Sequence, residues 1–231
     1  MVELLTRGAV WGVALTLGAF ALGAFLQQKT RQSWCNPLLL GSVFVILFLR
    51  LFEISYPDYQ EGAGMVSWLL LPATVSLAVP LYEQWEALRK NAAAILSGIA
   101  AGVVVSLVSV LLLAWAFRLD RAAAVSLLPK SITTAIGADV AGELGGIPAL
   151  TTAVIILTGI FGNLTAQTVC KWFRITEPVA KGVGIGSAAH AIGTTKALEL
   201  GPVEGAMSSL SIAVAGILTA LLCPLAVKLL P

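Results

Sequence analysis

The chain has 231 residues, of which 58% are hydrophobic and 11% charged, with a formal charge of +2. With a mean hydropathy of +0.93, it has too little polar surface to coat a water-soluble globule, and it belongs in lipid. Its Lys and Arg are scattered rather than gathered into a phosphate-neutralising stripe, which excludes nucleic acid as a partner.

The apolar residues come in blocks long enough for spanning helices and lack the short alternation of a membrane barrel, so the predicted fold class is an all-α polytopic membrane protein. In chain order the blocks cover residues 5–27, 36–54, 63–82, 92–117, 121–145, 147–172, 178–200 and 203–229. Eight spans result if each crosses. The first could be mistaken for a secretory signal, but it ends in Gln27-Gln28-Lys29 without a small-residue cleavage site and more membrane segments follow, so it reads as a span. The first, second, fourth and last blocks are plain. The third, fifth and seventh are interrupted, at Pro72, at Pro129-Lys130-Ser131, and at the glycine run Gly182-Val-Gly-Ile-Gly186 with Gly184 and Gly186 as its breaking points. Close helix packing is the other reading of that run. In the sixth block, Asn163-Leu164-Thr165 matches a glycosylation sequon but lies deep in an apolar stretch and reads as chance.

The whole chain, 1–231, thus reads as one integral membrane domain. Two plain spans occupy 1–60, and broken-plus-plain units repeat through 61–231. Trp34, Trp85, Trp115 and Trp172 fall near block ends, where indoles anchor at the headgroups. If all eight blocks cross with the N-terminus inside, Arg7, Arg50, Arg118, Arg121, Lys130, Lys171, Arg174, Lys181 and Lys228 are cytoplasmic, and Lys29, Arg31, Arg89, Lys90 and Lys196 are outside. Re-entrant fifth and seventh blocks would change that assignment. Cys35, Cys170 and Cys223 are odd in number and far apart, and the chain has one histidine, so neither a disulfide framework nor a metal site is expected. No cofactor is expected either.

A shift of 56 residues superimposes Ser131-Ile-Thr-Thr-Ala-Ile-Gly137 on Ser187-Ala-Ala-His-Ala-Ile-Gly193, and Glu143-Leu-Gly145 on Glu199-Leu-Gly201. Repeats that carry a broken helix are the best sequence pointer to a carrier's binding site. The reason is the backbone, because amides freed in hydrocarbon are tolerable only where protein, water or ligand satisfies them. New half-helices are expected to begin at Ser131 and Ser187, with partly positive N-termini that favour an anion. The hydroxyls of Ser131, Thr133, Thr134, Ser187 and Thr194 would add donors without charge, which suits a small carboxylate. Lys130 is either the counter-charge or a side chain that snorkels to the surface. His190 titrates near neutrality and is either a proton-coupling ligand or a helix-interface histidine. Asp139, Glu143 and Glu199 form an acidic relay for protons or sodium, or else mark where the segments emerge into water.

A set of motifs then resembles one family across essentially the whole chain. It comprises Asn36-Pro-Leu-Leu, Leu71-Pro-Ala-Thr-Val-Ser-Leu-Ala-Val-Pro-Leu-Tyr-Glu-Gln84, Leu128-Pro-Lys-Ser-Ile-Thr-Thr134, Gly145-Gly-Ile-Pro-Ala149, Gly186-Ser-Ala-Ala-His-Ala-Ile-Gly-Thr194 and Glu204-Gly-Ala-Met-Ser-Ser-Leu210. These are similar to the LrgB/CidB family, described as holin/antiholin-like and tied to murein hydrolase activity. Its relatives include the C-terminal half of the plastidial glycolate/glycerate translocator, and bacterial members are linked to pyruvate, lactate or glycolate movement. Two positions depart from the pattern: Ala135 stands where the family commonly has Pro, and Lys196 where relatives often carry Arg.

Residues and resemblance together predict a multi-pass inner-membrane carrier for small monocarboxylates, with a holin/antiholin-like pore or regulator as the alternative. The expected partners are the carboxylate, the lipid bilayer, a second copy of the chain in a dimer and a smaller LrgA-type membrane protein. With neither HExxH nor GxSxG present, no enzyme is expected.

Overall fold

The computed structural model describes residues 9–30 and 37–230, in which every regular element is a helix. Arg7, Arg31, Trp34, Cys35 and Asn36 lie outside the described residues. Packing divides the chain into two units, Met1–Ser76 and Leu77–Pro231.

In the first unit, α1 (Ala9–Thr30) packs against α2 (Pro37–Leu51) and α3 (Tyr56–Trp68), and α4 (Leu70–Ser76) follows. The α1–α3 contact is close because glycines meet there: a Cβ on Gly12 would lie 2.5 Å from the Ala63 nitrogen. The Thr16 and Tyr59 hydroxyls share a 2.8 Å hydrogen bond across the same seam. Leu17, Leu22 and Phe25 of α1 stay exposed, as befits a face turned to acyl chains. The third block is interrupted at Leu69, one turn before Pro72, and not at Pro72 itself, which lies inside α4. The cause is the proline ring, which removes the amide that would bond back one turn and crowds the carbonyl there, so the disruption falls upstream.

The second unit contains α5 (Ala78–Glu83), α6 (Trp85–Ala116), α7 (Arg121–Leu127), α8 (Thr134–Glu143), α9 (Pro148–Trp172), α10 (Pro178–Leu200) and α11 (Pro202–Val227). Pro80 repeats the pattern of Pro72, with the interruption three residues upstream at Leu77. The helices α6, α9 and α11, like α1, are long and apolar enough to cross a membrane. Ile95, Ile99, Val103, Leu107, Val110 and Ala114 recur every three or four residues on α6 and bury one stripe in the core, while Leu96, Val104, Val108 and Leu112 are left to lipid. Trp85, Trp115 and Trp172 stand exposed at the ends of α6 and α9.

The fifth block does not cross. At 1.5 Å per residue, α7 and α8 measure only about 10 and 15 Å, short of a hydrocarbon core of about 30 Å. Between them Pro129 forces successive short turns: the amides of Leu128, Lys130 and Ile132 each bond three residues back. The chain then returns, since Ser126 Oγ accepts the Ile147 amide at 2.7 Å and a Cβ on Gly137 would lie 3.4 Å from the Pro129 carbonyl. The result is a re-entrant hairpin.

The seventh block folds the same way. Its turn is at His190, whose φ of 41° and ψ of −141° depart from helix. Before it, Gly182 lies against Glu204 and Gly186 against Ser208 of α11; after it, Leu198 meets Gly205 and Thr194 bonds Ser208. The two arms therefore run in opposite directions beside one stretch of α11. The glycine run stays helical and serves close packing, so Gly184 and Gly186 are not the break.

These contacts fix the topology of the unit. Helix α6 runs from a near end at Trp85 to a far end at Phe117, where hairpin one opens; α9 returns to the near end, where hairpin two opens; α11 runs back to the far end. Two ties confirm it: Lys181 pairs with Glu204 at 3.8 Å at the near end, and Arg121 reaches the Val227 carbonyl at 3.3 Å at the far end. A plain helix plus a hairpin thus occurs twice in opposite senses, which makes an inverted repeat. Even the helix stops repeat at the 56-residue shift. Arg118 (φ 49°) and Arg174 (φ 55°) follow Phe117 and Phe173. After each, the next amide bonds five residues back, Leu119 to Ala114 at 2.9 Å and Ile175 to Cys170 at 2.8 Å.

Candidate functional site

The two hairpin tips meet α9 at one level. Ile155 packs where Gly137 of hairpin one has no side chain, and its carbonyl accepts the His190 Nε2 proton of hairpin two at 3.0 Å. Gly159 leaves room for the ring, for a Cβ there would lie 2.8 Å from it. Hairpin two's exposed backbone is satisfied locally. Asn163 Nδ2 donates to the Ile192 carbonyl and to Thr195 Oγ1, both at 2.8 Å, and Thr194 Oγ1 donates to the His190 carbonyl at 2.9 Å while sharing a 2.7 Å bond with Ser208. Asn163 is therefore structural glue at the turn, a role its reading as a chance sequon missed.

Beside these tips lies a cavity of about 670 Å³, bounded by α6, the turn of hairpin one and the first arm of hairpin two. It extends from Asn91 and Glu177 at the near end to Ser106, Ser109, Lys130 and Ser131. Ser106 lies ten residues from the end of α6, about 15 Å deep at 1.5 Å per residue, near mid-bilayer. There Lys130 Nζ donates to Ser131 Oγ at 3.1 Å, and the Ser131 and Ser106 hydroxyls lie 3.2 Å apart. Ser187 stands one turn nearer the mouth, beside Gly102 of α6. Among the described residues no carboxylate pairs with Lys130. An ammonium surrounded by hydroxyls and apolar walls can hold an anion by charge-assisted hydrogen bonds.

Of the residues expected to bind, Lys130, Ser131 and Ser187 line this cavity; Thr133, Thr134, His190 and Thr194 do not. The half-helix starts are displaced too. Helix α8 begins at Thr134 with Thr133 as its cap, and the outgoing arm of hairpin two begins after His190, so neither Ser131 nor Ser187 leads a helix. The polar groups that the cavity offers are consequently a lysine and serine hydroxyls in place of helix amides. His190 faces a backbone carbonyl, as an interface histidine does. The acidic relay is dispersed: Asp139 and Glu143 are exposed on hairpin one, while Glu199 pairs with Lys196 at 2.7 Å on hairpin two, at the opposite end. Ser106 was missed because it sits in a plain span; its one signal was a second serine, Ser109, on the next turn. Cys170 and Cys223 are both free.

A family model, LrgB-like family, matches residues 16–229. The chain is 36% identical over 217 residues to uncharacterized protein YxaC of Bacillus subtilis (strain 168), covering 94% of each. It is 35% identical over 226 residues to antiholin-like protein LrgB of the same organism, covering 97% of this chain and 98% of that one. Antiholin-like protein LrgB of Bacillus mycoides (strain KBAB4) is 35% identical over 221 residues, 95% of this chain and 96% of its own. No solved structure matches the chain. With a family match over nearly its whole length and relatives above 30% identity end to end, this multi-pass membrane protein belongs to the LrgB-like family.

Proposed function

We propose that the protein carries small monocarboxylates across the bacterial cell membrane, with the carboxylate held by Lys130, Ser131 and Ser106 and the rest of the solute lying toward Ser187. One observation supports this above the others: a cavity reaching mid-bilayer whose lining, among the described residues, holds a single cation, Lys130, bonded to serine. An ammonium in such a place is expensive unless a counter-anion visits it. Proteoliposomes containing the purified protein are expected to show saturable uptake of labelled glycolate, lactate or pyruvate, each competing with the others. Absence of flux under imposed proton and sodium gradients would overturn the reading.

The relatives' printed names favour a second reading more directly, an antiholin-like role in controlling a membrane pore. That reading expects leakage of entrapped dye from the same vesicles, alone or with a smaller LrgA-type partner, and indifference to changes at Lys130. A homodimer belongs to either reading and rests on the family resemblance.

Orientation follows from the topology of the second unit. Arg89, Lys90, Lys171, Arg174, Lys181 and Lys196 lie toward the near end, against Arg118, Arg121 and Lys228 at the far end. Six basic residues against three favour a cytoplasmic near end, and with it a cytoplasmic mouth of the cavity. This replaces the assignment in which Arg118 and Lys181 shared a side. In a variant lacking the native cysteines, Glu177→Cys is expected to react with a membrane-impermeant maleimide only after cells are opened, and Asp120→Cys in intact cells; the reverse pattern would invert the protein.

A further inference from the structure

We propose that Gly102 sets the size of the solute this cavity accepts, an inference that rests on the carrier reading above. On α6, Gly102 and Ser106 are one turn apart and face the same cavity. Ser106 stands level with the Lys130–Ser131 pair, and Gly102 stands level with Ser187. The two levels are separated by about 6 Å, four residues at 1.5 Å each. A carboxylate anchored at the lower level therefore points its carbon chain at the space above Gly102.

That space is narrow and its far wall is rigid. A Cβ on residue 102 would lie 3.2 Å from Ser187 Oγ and 3.5 Å from Ser187 Cβ, bridging the gap between α6 and hairpin two. Ser187 has little freedom to withdraw. Its hydroxyl donates to the Val183 carbonyl at 2.5 Å, and the adjoining Gly186 backbone is pressed against Ser208 of α11. A core packed this closely gives way by less than the width of a methyl group. A methyl at 102 would consequently subtract volume from the solute's end of the site while leaving the anion's end, at Lys130, untouched.

The test compares acids of increasing length: glycolate, lactate and 2-hydroxybutyrate. In proteoliposomes, Gly102→Ala is expected to keep glycolate uptake within about twofold of the unsubstituted protein and to weaken the longer acids by roughly tenfold or more, the effect of one methyl group in a fitted pocket. Protection of the solubilised variant against thermal unfolding by each acid should give the same order without requiring translocation. Equal loss of all three acids, or no change in their order, would overturn the role of Gly102. If the unsubstituted protein neither binds nor carries any of them, the carrier reading itself falls and this inference falls with it.

Discussion

Replacing Lys130 by Ala is expected to abolish carboxylate uptake while leaving the protein folded and correctly inserted. Among the described residues the ammonium is the only cation lining the cavity, and it bonds Ser131 at 3.1 Å. A hydrogen bond to a charged group contributes about 1.5–3 kcal/mol, so its loss should weaken anion binding by roughly 10- to 150-fold. Folding should tolerate the change, because no buried carboxylate is orphaned when the lysine is removed. Apparent Km and maximal rate for labelled glycolate, set beside the melting temperature of the solubilised variant, separate these effects. Unaltered uptake by Lys130→Ala would show that the cavity is not the solute's path.

The second large effect is expected at His190, and it is one of stability. The residue combines three loads: a ring filling the notch at Gly159, a bond to the Ile155 carbonyl, and a backbone φ of 41° at the tip of hairpin two. His190→Ala deletes the ring and its hydrogen bond to the Ile155 carbonyl but keeps a side chain at positive φ. His190→Gly makes the same deletions and relieves the backbone. Both should unfold more readily than the unsubstituted protein by roughly 2–4 kcal/mol, the sum of a small cavity and a lost buried hydrogen bond. The Gly variant should nonetheless exceed the Ala variant by about 1 kcal/mol, the reverse of their order within a helix. Thermal unfolding in detergent ranks the three proteins. An Ala variant more stable than the Gly variant would mean that the turn is not at residue 190.

Helical character, the membrane setting and the existence of two broken segments were legible in composition, block length and the 56-residue repeat. Their direction was not. Hydropathy measures how long a block is and carries no sign for whether the chain goes on or turns back, and only contacts such as Ser126 with Ile147 reveal the return. Pro129 marked its break well because the short turns around it, at Leu128, Lys130 and Ile132, all fall within three residues of the ring. Gly182, Gly184 and Gly186 misled, because a glycine that weakens a helix also lets a neighbour approach, and α11 claims that second property at Gly182 and Gly186. The site was half visible: Lys130, Ser131 and Ser187 were singled out by the repeat, whereas Ser106 and Gly102 belong to a helix whose pattern gave no reason to stop there. The helix stops at Arg118 and Arg174 carried the repeat too, as Phe117-Arg118-Leu119 and Phe173-Arg174-Ile175, but an arginine gives no local signal of the positive φ that both adopt.

The cavity also has an electrical consequence. On the carrier reading, a cavity that admits water from one face leaves the insulating layer thinnest beyond its floor at Lys130 and Ser131, and the membrane voltage is concentrated there. A monoanion crossing it alone exchanges about 2.3 kcal/mol with every 100 mV. In a cell with a negative interior that work favours exit, so on the carrier reading uptake of a lone monoanion needs either an inward concentration ratio of about fiftyfold per 100 mV or a co-transported cation.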